Sequence, residues 1–154
     1  MNKNLRNAAI VFAIVVVGIQ FVSIRATNPN STGEIATEPE IAAILERSCY
    51  DCHSNETDWP WYGHVAPVSW WIVHHVDEAR EEMNFSEWDK FTELQQQSLR
   101  RQIWRQVEGG HMPLPDYLRL HKEAKLSETD KDILRDWAGV EETSEEHDHG
   151  AHEH

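Results

Sequence analysis

The chain is poor in several things, and each shortage narrows what it can be. Only two of its 154 residues are cysteine, so neither a disulfide framework nor a four-thiolate metal site can be built. Basic residues are scarce, 14 against 27 acidic ones, for a formal charge of −13. That balance argues against nucleic acid as a partner and favours a partner with a basic docking surface. Strand-like alternation is hard to find in the middle of the chain, and no internal repeat is visible. Apolar residues form one long run only, Ala8–Ile19, continued past Gln20 by Phe21, Val22 and Ile24.

Lys3 and Arg6 precede that run, the arrangement of an export signal or an uncleaved anchor. Residues 8–24 as a helix reach roughly 25 Å, slightly less than a hydrocarbon core of about 30 Å. A poor cleavage site, with Ile24 at −3 if cutting follows Ala26, favours an N-terminal transmembrane helix. Residues 1–26 are thus expected to be a membrane anchor or signal segment. The N-terminus would lie in the cytoplasm and the rest would face the periplasm, or the protein would be secreted there if the segment is cleaved. Residues 27–37, rich in Asn, Pro, Ser and Gly, are expected to be a linker. Residues 141–154, EETSEEHDHGAHEH, carry six carboxylates, no Lys or Arg and four histidines. They read as a disordered acidic tail in which His147, His149, His152 and His154 could hold a transition metal loosely.

Residues 38–140 are expected to form one all-α domain. Thr37 and Glu40 suggest a capping box before a helix whose Ile41, Ile44, Leu45 and Ser48 share a face. Pro67 opens a second helix with a stripe of Val68, Trp71, Ile72, His75, Val76 and Ala79. A third runs from about Thr92 to Glu108, with Leu94, Leu99, Ile103, Trp104 and Val107 apolar, and stops at Gly109-Gly110. HMPLPDY is not expected to be helical across its two prolines. Ser127 caps a last helix ended by Gly139.

Both cysteines lie in SCYDCHSN, residues 48–55, with His53 directly after the second. A thioredoxin-like disulfide needs a βαβ setting, and a helix leads in here instead. Structural zinc needs four ligands, and no third cysteine exists. Haem attachment uses every group: Cys49 and Cys52 each add to a vinyl, and His53 becomes the proximal iron ligand. An electron carrier needs a second axial ligand. Met112, held between glycines and prolines in a loop, is the main candidate and inward-facing His75 the alternative. Seven tryptophans are many for such a domain. Trp59, Trp61, Trp70 and Trp71, close to the motif, are candidate pocket walls, although large rings recruited for core area explain them equally.

The strings CYDCHSN, WPWY, APVSWW, NFSEW and MPLPDY together resemble the haem-binding domain family, small exported monohaem proteins frequent in Bacteroidetes and related bacteria. The resemblance spans Glu40–Val140. It implies a cytochrome c-like helical domain around one covalent haem c, with Cys49 and Cys52 attached, His53 on the iron and Met112 as distal ligand. The expected function is single-electron transfer between redox partner proteins at the periplasmic face of the membrane, without catalysis. The alternatives are a haem enzyme or sensor with an open distal site for peroxide or a small gas, and a domain using haem only as a fold staple.

Overall fold

The computed structural model describes residues 2–22 and 24–141. Residues 142–154, which include the four tail histidines, lie outside the described residues. Among the described residues, seven α-helices follow in order: α1 (Lys3–Ile19), α2 (Pro39–Ser48), α3 (Tyr50–His53), α4 (Val68–Glu82), α5 (Glu93–Glu108), α6 (Pro115–Leu120) and α7 (Glu128–Trp137). Short 3₁₀ turns occur at Trp61–His64, Trp88–Lys90 and Lys122–Ala124. No strand forms among the described residues, which contain a single isolated parallel bridge between Gly33 and Glu87. The all-α expectation holds.

The membrane-spanning helix does not. The first helix has 17 residues, and no helix among those described is long and apolar enough to cross a membrane. Its apolar part, Ala8–Ile19, covers only roughly 18 Å at ~1.5 Å per residue, because Lys3, Asn4, Arg6 and Asn7 occupy the start. Gln20 ends it. The side-chain amide donates to Val16 O at 3.1 Å and to Ala66 O at 3.0 Å, while Oε1 accepts from the Ala66 N–H at 3.0 Å. A glutamine satisfied by the backbone of the folded body turns the chain towards that body, so the apolar pattern never continues as one helix to residue 24.

Residues 27–37, expected as a linker, are held to the same body. Thr32 N and Gly33 N donate to Ser86 O, and Ile35 N donates to Phe85 O at 3.1 Å. The Ile35 side chain is buried. Gly33 has a steric reason for being glycine: a Cβ there would come within 2.1 Å of Asp89 Cγ.

The core joins Ile41, Ile44 and Leu45 of α2 to Trp104 and Val107 of α5, Leu134 of α7, and Met83, Phe85 and Trp88 from the connection after α4. Helix α2 packs on α7, α5 packs on α7, and α3 packs on α4. Arg47 Nη2 meets Asp130 Oδ2 at 2.9 Å and pins α2 to the first turn of α7. Leu94, expected apolar-side-in on α5, is 74 % exposed. Thr92 caps α5 and Ser127 caps α7, each in a reciprocal capping box, with Gln95 and with Asp130. The box expected from Thr37 and Glu40 is absent: Glu38 holds the cap position of α2, and the Thr37 hydroxyl donates to Glu38 Oε2.

Candidate haem-binding site

Helix α2 delivers the cysteine motif and then breaks. Cys49 ends it at φ −130°, and the chain restarts as the single turn Tyr50–His53. Cys52 N and His53 N both donate to Cys49 O, at 3.2 and 2.9 Å. This turn brings the two thiols and the imidazole onto one short element, all three partly buried. The thiols are free. Burial, reinforced by the neighbouring thiol, pushes Cys49 up to about 12; burial, reinforced by Asp51, pushes Cys52 up to about 11. A reactive redox pair requires the opposite, a depressed thiol pKa.

His53 is oriented from across the interface with α4. Its Nδ1 lies 3.0 Å from Ala79 O and 3.2 Å from Met83 O. Two carbonyls can only accept, so Nδ1 carries the proton and Nε2 keeps its lone pair. Burial pushes the imidazole below the usual histidine pKa, against the pull of these carbonyls. A neutral ring held by Nδ1–H to backbone oxygen is the state a metal-ligating histidine needs. Two thiols and a metal-ready imidazole on one turn therefore fit a haem with two side-chain attachments and one axial nitrogen.

A buried polar zipper holds this turn in place. Phe85 N donates to His53 O at 2.8 Å. Asn84 Nδ2 donates to Asn55 Oδ1 at 2.8 Å, Asn55 N to Ser86 Oγ at 2.9 Å, and Ser86 N to Asn84 Oδ1 at 3.0 Å. The strings HSN (53–55) and NFS (84–86) are thus two sides of one contact. Phe85, fully buried, stacks between Tyr50 at 5.3 Å and Trp88 at 5.7 Å. Arg80 organises the next loop: its guanidinium donates to Ser54 O, Thr27 O, Asn28 Oδ1 and Thr57 Oγ1, and sits over the Trp59 ring. Sequence reading missed Arg80, Asn55, Asn84 and Ser86. The repeated small polar residues flanking an aromatic were the available signal.

The four candidate wall tryptophans are not core residues. Trp59 is partly buried, its Nε1 donating to Asn28 Oδ1 at 2.9 Å; Trp70 is partly buried; Trp61 and Trp71 are 77 % and 54 % exposed. The buried tryptophans are Trp88 and Trp104. Helix α4 buries Ser69, Val73 and Val76, a face rotated from the expected stripe, so Val68 and Trp71 are exposed. His75 does not point wholly inward: its side chain is 38 % exposed, rests against Trp71 at 4.5 Å, and has Nδ1 3.7 Å from Glu78 Oε2, too long for a hydrogen bond.

Met112 lies in the turn after α5, partly buried, and is followed by a cis peptide to Pro113. The N–H groups of His111 and Met112 both donate to Gln106 O, at 2.9 and 3.1 Å, around Gly110 at φ 67°. Five residues on, the Tyr117 hydroxyl donates to Asp51 Oδ2, between the two cysteines. No helix runs across both prolines, as expected; α6 (Pro115–Leu120) begins at the second, where Pro115 occupies the first helical turn and its missing N–H costs nothing. Among the described residues, no three His, Cys, Asp or Glu side chains are grouped to hold a metal ion by themselves.

No curated protein and no solved structure matches the chain. The model of the haem-binding domain family matches residues 14–139, reaching back into α1 and across nearly the whole folded body, and the chain belongs to that family.

Proposed function

We propose that this haem-binding domain protein is a monohaem c-type cytochrome that transfers single electrons in the periplasm. The observation that carries the reading is the placement of Cys49, Cys52 and His53 on one turn, with Nδ1 of His53 fixed by Ala79 and Met83 carbonyls. Cys49 Sγ and Cys52 Sγ would each add, with their proton, across a vinyl double bond, a step that needs no oxidant. A covalently held haem supplies a one-electron Fe(III)/Fe(II) couple. His53 would hold the iron through Nε2, and its double carbonyl anchor at Nδ1 would raise the basicity of that nitrogen. Met112 would offer its thioether sulfur as the other iron ligand, a donor that favours the reduced state relative to a second histidine. With both ligands supplied by the chain, little would reorganise on electron transfer.

Thioethers cannot be undone as disulfides can, which suits a compartment outside the cytoplasm. The acidic surface would steer a basic redox partner into a brief encounter. The test is the spectrum of the ferric holoprotein. Met–Fe(III) ligation gives a weak red charge-transfer band, expected in the parent protein and lost in Met112→Ala. A high-spin ferric spectrum with rapid CO binding on reduction would instead establish an open distal site, and a low-spin parent spectrum without the band that turns high-spin in His75→Ala would move the ligand to α4.

A further inference from the structure

Asp51 stands between the two cysteines and joins three segments. Oδ1 accepts from the Asp58 N–H at 3.0 Å and Oδ2 accepts from the Tyr117 hydroxyl. The Tyr117 ring lies flat on His121, centroids 4.1 Å apart at 9°, and His121 Nδ1 is 3.3 Å from Tyr117 O. Burial, with the Asp51 hydrogen bond added, pushes the phenol well above its ordinary pKa, so it remains a donor.

Tyr117 is coupled to Met112 by a short, stiff stretch. Pro113 and Pro115 lie between them, each with φ locked near −65°, and Leu118 N donates to Leu114 O at 3.1 Å. The other end of the Met112 turn is tied to α5 through Gln106 O. Of the two ties, Asp51–Tyr117 alone reaches the cysteine turn.

We infer that the Asp51–Tyr117 hydrogen bond is the latch that positions the Met112 turn against the haem motif and sets how firmly the methionine holds its place; this rests on Met112 ligation as proposed above. A phenol donating to a carboxylate in a partly buried site is among the stronger neutral-donor contacts. Its loss loosens the turn while leaving Cys49, Cys52, His53 and Met112 untouched. Tyr117 and Asp51 are accordingly positioning residues. A contact serving stability alone would lower the unfolding midpoint without altering ligand exchange at the iron.

The experiment titrates imidazole into the full-length ferric holoprotein and follows loss of the Met–Fe(III) band in the parent, Tyr117→Phe, Asp51→Ala and the double variant. Tyr117→Phe is expected to retain covalent haem and the band, but to bind imidazole roughly tenfold tighter. Asp51→Ala should do likewise, and in that background Tyr117→Phe should change affinity less than about twofold. Should Tyr117→Phe fail to fold, Asp51→Ala removes the same contact together with the Asp58 N–H bond, and unchanged imidazole affinity there still overturns the latch. Unchanged imidazole affinity in the folded variants overturns the latch and leaves Met112 ligation standing. A parent protein with no Met–Fe(III) band overturns both.

Discussion

Replacing Asn84 with alanine tests whether the site is built on a buried polar zipper. Asn84, Asn55 and Ser86 are 6 %, 4 % and 1 % exposed. The substitution strands two groups at once: Asn55 Oδ1 loses its donor and the Ser86 N–H loses its acceptor. An unsatisfied buried polar group costs about 1–3 kcal/mol, so two cost about 2–6 kcal/mol. Water entering the space left by the carboxamide offsets part of this, placing the expected loss at about 2–4 kcal/mol. That is a large share of the ~5–15 kcal/mol typical of a domain. Urea unfolding of the haem-free chain measures it as a lower midpoint at unchanged slope. Asn55→Ala combined with Asn84→Ala should cost clearly less than the sum, because both break one network. A loss below about 0.5 kcal/mol, or full additivity, would refute the view that the turn carrying His53 is fixed by this contact.

Phe85→Ala empties the fully buried slot between Tyr50 and Trp88 and should destabilise by about 3–5 kcal/mol in the same assay, more than any exposed tryptophan such as Trp61. Gly33→Ala drives a methyl into Asp89 and should cost about 1–3 kcal/mol; Asp89→Ala should recover part of it, since Asp89 Cβ would still lie 2.6 Å away. Asp130 feels burial, which raises its pKa, but hydrogen bonds from Ser127 and Arg47 outweigh it and hold the carboxyl below its ordinary value. A depressed folded-state pKa contributes stability above the unfolded value near 3.8 that fades as pH falls through the folded one. Acid unfolding should therefore be shallower in Asp130→Asn, and an unchanged acid limb would contradict the view that Ser127 and Arg47 together favour the charged carboxylate.

Local signals in the sequence located much of this fold. Thr92 with Gly109-Gly110, and Ser127 with Gly139, bound α5 and α7 as their capping chemistry requires. The inward face of α2 also followed from spacing. Where several registers were chemically equivalent, the sequence misled. Helix α4 carries Val68, Trp70, Trp71, Ile72, Val73 and Val76, so periodicity alone could not choose the face, and a serine lies on the buried one. The apolar N-terminal run carried no sign that Gln20 would bond to Ala66, 46 residues away, and end the helix at Ile19. Tertiary hydrogen bonds likewise decide the roles of Arg80, Asn84 and Tyr117; the strings NFSEW and MPLPDY marked the last two, but not what they bond. The family was legible in the sequence, and residues 14–139 match its model; the cysteine–histidine stretch drew notice because its chemistry is local, two thiols and an imidazole within five residues.

Intact-mass and peptide-mass spectrometry of the full chain, matured in cells that attach haem, tests the central claim most directly. The account predicts one haem mass added, carried by the peptide containing Cys49, Cys52 and His53, and absent when both cysteines are replaced by serine. An unmodified polypeptide from the same cells, with Cys49 and Cys52 recovered as free thiols, would contradict it.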